Sequence, residues 1–185
     1  MEANLIETPR LRLRPFTVDD AAAAHAWFGD PRVMKYTPSG VDRSVPDTRQ
    51  RLTAYVAHQA THGFSKWLIA DRASDTPLGD AGLLQLPELG WIDLGFRLIP
   101  SCWGRGLATE AAQAWVTAAF GTLRIARLGA FAHPDNAASL RVLDKLGFRR
   151  ERQDSIMGMR AVFFGLDRVP GAAQPLPPHG QPPGA

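Results

Sequence analysis

The residues with the clearest chemical potential lie between 92 and 112, in the run IDLGFRLIPSCWGRGLATEAA. Gly104 and Gly106 flank Arg105 just ahead of an alanine-rich segment carrying Thr109 and Glu110. Glycines let backbone N–H groups converge without side-chain obstruction, and the first N–H groups of a helix have no partner inside it. Such a turn cradles an anion, a phosphate or pyrophosphate, and Arg105 adds positive charge. Upstream, Asp93 sits in an apolar stretch with Leu94, Phe96 and Leu98. A carboxylate so placed is partly desolvated, which raises its pKa and suits it to take a proton. Strand alternation puts it on the side of Trp91 and Gly95, opposite Leu94 and Phe96. The plainer alternatives are a surface carboxylate paired with an arginine, and glycines that only make a tight turn.

Two nucleotide-binding readings fail. A nucleoside-triphosphate loop needs Gly-Lys-Ser/Thr at the helix start, and Gly106-Leu107-Ala108 lacks it. A dinucleotide fingerprint needs a parallel βαβ unit with an acidic residue after the second strand. Here the preceding strands read as antiparallel hairpins, and the strand after the helix ends at His133 with Asp135 in a turn. The lone Cys102 excludes an intramolecular disulfide and offers no metal-ligand spacing, so no metal is expected. His25 and His58 fall on predicted helices and should be partly exposed, and His133 reads as a turn residue. Trp67, Tyr36 and Trp91 could line an acceptor pocket or equally pack in the core.

The elements that must position these residues follow from periodicity. Residues 5–16 alternate leucine against arginine and predict one half-buried strand. Helices are expected over 21–28 and 46–61, with a loop or short helical turn between them. Strands are expected over 64–71, 78–86 and 91–99, and a helix from the glycine turn to Phe120. A strand over 123–132, parallel to 91–99, a helix over 137–146 and a final antiparallel pair (148–153 and 161–167) complete the set. The order β α α β β β α β α β β is a mixed α/β domain. The chain has 185 residues, 45% of them hydrophobic and 21% charged, enough for one domain with a sizeable core. Net charge is +3, lysine occurs only at 35, 66 and 145, and the arginines are scattered. Arg149, Arg150 and Arg152 with Glu151 read as a solvated strand face, so no nucleic-acid partner is expected. No run is long enough to span a bilayer and no signal-peptide pattern opens the chain, so no membrane partner and a cytoplasmic location are expected. Residues 169–185 are Pro/Gly-rich and are expected to form a disordered tail behind a domain spanning 1–168.

A second segment, Asn136-Ala137-Ala138-Ser139-Leu140-Arg141-Val142-Leu143-Asp144-Lys145-Leu146-Gly147-Phe148, follows the next strand. With Trp103-Gly104-Arg105-Gly106-Leu107-Ala108-Thr109-Glu110-Ala111, it closely resembles the Gcn5-related N-acetyltransferases (GNAT). Thr8-Pro9-Arg10-Leu11-Arg12-Leu13-Arg14-Pro15 narrows the resemblance to the branch of the ribosomal-protein acetyltransferases RimJ and RimL. The resemblance spans about residues 5–168. It implies a mostly antiparallel mixed sheet of about seven strands, splayed between the fourth and fifth, with about four helices. It implies acetyl-CoA as co-substrate and a primary amine as acceptor, a protein N-terminus or a small molecule, with direct transfer in a ternary complex. A homodimer is common in the family.

By the same resemblance, backbone N–H groups of Trp103, Gly104, Arg105, Gly106, Leu107, Ala108 and Thr109 hold the pyrophosphate. Phe96 and Leu98 hold the pantetheine through their main chain. The family's phosphate motif is Gln/Arg-x-x-Gly-x-Gly/Ala; Trp103 departs from its first position but fits the branch. The tyrosine that protonates the thiolate in many members is here Leu143. Ser139, one helical turn after Asn136, is the branch's proposed substitute, against a plain helix-surface serine. Asn136 is a helix N-cap, a direct cofactor ligand, or both. Asp93, where the branch often carries glutamate, is the candidate base. Covalent transfer through Cys102 is unnecessary. The rival reading is a non-catalytic acyl-CoA-binding sensor or scaffold, which loss of the tyrosine keeps open.

Overall fold

The computed structural model describes residues 5–169. The predicted tail lies, from residue 170 onward, outside the described residues. Eight strands form one sheet: β1 (Ile6–Glu7), β2 (Leu11–Pro15), β3 (Lys66–Asp71), β4 (Pro77–Leu86), β5 (Trp91–Leu98), β6 (Arg127–Ala132), β7 (Arg149–Ile156) and β8 (Met159–Asp167). The spatial order is β1-β2-β3-β4-β5-β6-β8-β7. Every neighbouring pair is antiparallel except β5–β6. Five helices complete the fold: α1 (Ala21–Phe28), α2 (Pro31–Met34), α3 (Val45–His62), α4 (Leu107–Phe120) and α5 (Ala137–Lys145). No helix among the described residues is long and apolar enough to cross a membrane.

The sheet has eight strands rather than seven because the first predicted strand is broken. Thr8 and Leu11 exchange main-chain and hydroxyl hydrogen bonds across Pro9 and Arg10, and the chain turns there. The fifth helix, α2, is a single turn in the stretch expected as a loop or short helical turn. Asp30 caps it through the Arg32 N–H, and Pro31 starts it at a position where a missing N–H costs nothing. The predicted 123–132 strand starts late, at Arg127. The N–H groups of Leu123 and Ile125 donate to Ala118 and Ala119 at the end of α4, so they are spent before the sheet begins.

The sheet is covered on both faces. On α4, Leu107, Ala111, Ala112, Trp115, Val116 and Ala119 form one buried stripe. This stripe packs with Leu11, Leu13, Ile69, Leu83, Leu94 and Leu98 in the main core. On the other face α1 and α3 bring Trp27, Phe28, Leu52 and Tyr55 against Phe16, Leu68 and Ala70. Burial of one such Leu or Phe contributes about 1.5–3 kcal/mol, so the two cores carry the stability of the scaffold.

β5 and β6 are where the sheet opens. Their parallel pairing is confined to Asp93↔Gly129, whereas β5 stays paired with β4 from Trp91 to Leu98. Trp91 lies across Gly129, where an added Cβ would stand 2.4 Å from the indole. Beyond this point the strands diverge, as the splay implied by the resemblance requires.

Candidate active site

The glycine turn closes one end of the gap. Gly104 (φ +73°) and Gly106 (φ +76°) are both left-handed, a region open to glycine at little cost. Gly106 caps α4, and the first bond of the helix runs from Glu110 N–H to the Gly106 carbonyl. The N–H groups of Leu107, Ala108 and Thr109 precede that bond and are the orphan donors of the helix start. Trp103 differs. Its backbone N–H already donates to Pro100 at 3.1 Å, and its indole Nε1 donates to the Leu98 carbonyl at 2.8 Å. Trp103 therefore ties the turn to the end of β5, and the free donors lie after it.

The ladder decides which way β5 faces. Ile99 N–H donates to the opposite carbonyl of Leu78, so the odd residues of β5 bond to β4. Alternation then turns the N–H and C=O groups of Leu94, Phe96 and Leu98 towards β6. Past the single bridge these edges have no strand to pair with. The Leu98 carbonyl already accepts from Trp103, so the groups left for another partner are the N–H and C=O of Phe96 and the N–H of Leu98.

Glu110 has a structural role that the sequence did not suggest. Its carboxylate accepts from Thr8 Oγ1 (2.6 Å), the Arg10 N–H (2.9 Å) and Arg10 Nε (2.6 Å). Arg10 Nη1 in turn donates to the Arg105 carbonyl at 2.9 Å. The turn between β1 and β2 thus buttresses the glycine turn from behind. Burial opposes ionisation of Glu110, but the donors from Thr8 and Arg10 together hold its pKa below the usual carboxylate range.

Asp93 stands at the apex of the splay and is 7% exposed. Its Oδ1 is buried without a hydrogen-bond partner among the described residues. Burial pushes its pKa up to about 7, against the pull of Lys66 and Arg97. Arg97 forks onto the fully buried Asp80 at 2.9 and 2.6 Å and donates to the Tyr55 hydroxyl. Lys66, Asp80 and Arg97 were not singled out from sequence. The signal was there, since each is a charge inside an apolar strand, but bringing them together required the register across two hairpins.

At the other wall, Asn136 Oδ1 accepts from Ser139 N–H at 3.2 Å, which makes Asn136 the N-cap of α5. The Ser139 side chain is half-buried. Leu143 is 2% exposed within the core, so no acid of the tyrosine type is available from that turn. A cleft of about 610 Å³ opens between the segment after α2, the end of β6 and the β7–β8 turn. Lys35, Tyr36, His133, Asp135 and Arg160 contribute to its walls. Tyr36 stacks on His133 with ring centroids 4.9 Å apart. Trp67 instead packs edge-on against Trp115 in the core, and Cys102 is buried there too.

The family model described as the acetyltransferase (GNAT) domain matches residues 10–149. The chain belongs to the GNAT acetyltransferases. As a GNAT member it is an N-acetyltransferase, and this family uses acetyl-CoA. It is 32% identical over 149 residues to the uncharacterized N-acetyltransferase YoaA of Bacillus subtilis, covering 80% of this chain and 84% of that one. It is 30% identical over 148 residues to the uncharacterized N-acetyltransferase p20 of Bacillus licheniformis, covering 78% and 82%. Among solved structures it is similar to a GNAT-family acetyltransferase from Bacillus anthracis, with a TM-score of 0.78, 25% identity and coverage of 89% and 98%. The fold is also that of RimL, a ribosomal L7/L12 α-N-protein acetyltransferase in complex with coenzyme A. There the TM-score is 0.75 at 19% identity, with coverage of 89% and 98%. The likeness to RimL is one of fold. No group of three or more His, Cys, Asp or Glu among the described residues is placed to hold a metal.

Proposed function

We propose that this GNAT enzyme moves the acetyl group of acetyl-CoA to a primary amine by direct attack, with both substrates bound together. One observation carries the reading: a buried carboxylate with an unpartnered oxygen stands at the apex of a gap whose edges offer free amide groups and whose mouth offers orphan helix N–H groups. Acetyl-CoA supplies an activated thioester. The main chain of Phe96 and the N–H of Leu98 orient its arm, and the N–H groups from Gly104 to Thr109 neutralise its pyrophosphate. Asp93 takes the proton released by the amine nitrogen as that nitrogen bonds to the acyl carbon and the carbon–sulfur bond breaks. Ser139 donates a hydrogen bond to the departing thiolate, which is then protonated from solvent.

The acceptor reaches the site through the cleft at Tyr36 and His133. Lys35 and Arg160 stand there against a single carboxylate, Asp135, already 3.6 Å from Arg160. Such walls repel polyamines and favour an amine with little further positive charge, such as a peptide N-terminus or a small neutral amine. Calorimetry with acetyl-CoA, followed by thiol release against a panel of amines and N-terminal peptides, tests the whole reading. Thiol release with at least one amine is expected. Binding without turnover on any of them would instead favour an acyl-CoA-binding module, the reading that Leu143 in place of the tyrosine supports.

A further inference from the structure

Four ionisable side chains share the α1–α3 face of three adjacent strands: Lys66 on β3, Asp80 on β4, and Asp93 and Arg97 on β5. Lys66 is 4% exposed and Asp80 0%. Arg97 and Asp80 complete one another through two hydrogen bonds. Lys66 and Asp93 do not. Lys66 pairs across the sheet with Gly82, and Gly82 with Gly95. Its side chain runs over this row of glycines, and Nζ donates to the Gly82 carbonyl at 2.7 Å. A Cβ on Gly95 would stand 2.6 Å from Lys66 Nζ and 3.8 Å from Asp93 Oδ2. Ammonium and carboxylate thus face each other across the space that Gly95 leaves empty. A pair built only for stability would close, as Arg97 and Asp80 do, because a buried unpaired charge is costly. Here one ammonium still has donors to spare and Asp93 Oδ1 has no partner.

We propose that Lys66 is a positioning residue of the acetyl transfer: its ammonium, carried across Gly82 and Gly95, holds Asp93 ionised with neither carboxylate oxygen closed into an ion pair, ready to take the acceptor's proton through a water. This rests on Asp93 as the base. The other groups around this site are committed elsewhere. Arg97 is held by Asp80 and Tyr55. His58 on α3 is neutral, its Nδ1 donating to Phe64 and its Nε2 accepting from Gln85 N–H. Arg152 on β7 lies over the rings of Trp91 and Phe163. Burial pushes Asp93 up while Lys66 pulls it down, so taking the ammonium away must raise it further.

Two readouts test this: a carbon-13 titration of the Asp93 carboxyl, and the pH profile of kcat/KM. In Lys66→Met both should move up by about one pH unit or more, with about tenfold lower kcat/KM at pH 7. Lys66→Arg should restore most of both. Gly95→Ala keeps every charge, and its backbone does not require glycine. Its Cβ displaces only the end of the lysine, so the variant should fold and should reproduce the shift. A carboxyl titration unmoved in Lys66→Met and Gly95→Ala overturns the proposal. An acidic limb that survives in Asp93→Asn overturns instead the base reading, and with it the catalytic meaning of Lys66, even where the titration does move.

Discussion

Asp93 and Ser139 make different demands on experiment. If Asp93 is the base, only its ionised form works, so kcat/KM should rise with pH through about 7, the value to which burial raises it. Asp93→Asn should abolish that rise and cost at least about 100-fold at pH 8. Ser139→Ala should lower kcat by about 10–100-fold while the acetyl-CoA Kd stays within about twofold, because the role is confined to the departing sulfur. An unchanged kcat would leave Ser139 a plain residue of the capped turn. Asp93 was legible in sequence as a carboxylate among leucines. Its partner Lys66 was not, because alternation within one strand says nothing about a neighbour two strands away. A register shift between Ile69 and Ala70 further breaks any simple count across the hairpin.

At the scale of elements, the glycine turn was legible and its support was not. The spacing of Gly104 and Gly106 before an alanine-rich helix announced the cradle. The first β-hairpin, read as one strand, concealed the Thr8–Arg10–Glu110 bond set behind it. Glu110→Gln keeps the shape but loses the charge. It should cost about 1–3 kcal/mol by thermal unfolding at pH 7. The acetyl-CoA KM should rise more than kcat falls, since the Arg105 carbonyl loses its brace. The pH sign is fixed by the lowered pKa. The stabilisation is present above the unfolded value of 4.5 and is lost as pH falls through the lower folded one. Wild type and Glu110→Gln should therefore converge in acid, and a difference that persists undiminished there would show that the carboxylate charge is not the source.

At the scale of the molecule, the sheet is two subsheets, β1–β5 and β6–β8, joined by main-chain pairing only at Asp93↔Gly129. Hairpin spacing predicts the β3–β4–β5 run and the β7–β8 pair, and the crossover through α4 predicts β6 parallel to β5; that β2 flanks β3, and that β8 rather than β7 lies beside β6, did not follow from it. Nor did the position of the bridge, because it depends on Trp91 seating on Gly129. Gly129→Ala forces a Cβ against that indole and should destabilise by about 1–3 kcal/mol, an overpacking cost read as a lowered Tm. On the proposed placement of acetyl-CoA between the two edges, co-substrate at about 100-fold over Kd should add about 2.7 kcal/mol of stability. Slowed hydrogen exchange at Phe96 and Leu98 should accompany it.

The tie between Trp103 and the end of β5 has an optical consequence. Trp103 is 50% exposed, Trp91 is half-buried with its Nε1 out of solvent, and Trp27, Trp67 and Trp115 are each 5% exposed or less. The red edge of the intrinsic emission therefore belongs chiefly to one indole, clamped at the rim of the cradle. With acetyl-CoA in the proposed cradle, excitation at long wavelength should make the enzyme its own titration dye, reporting co-substrate occupancy in the absence of any acceptor or turnover.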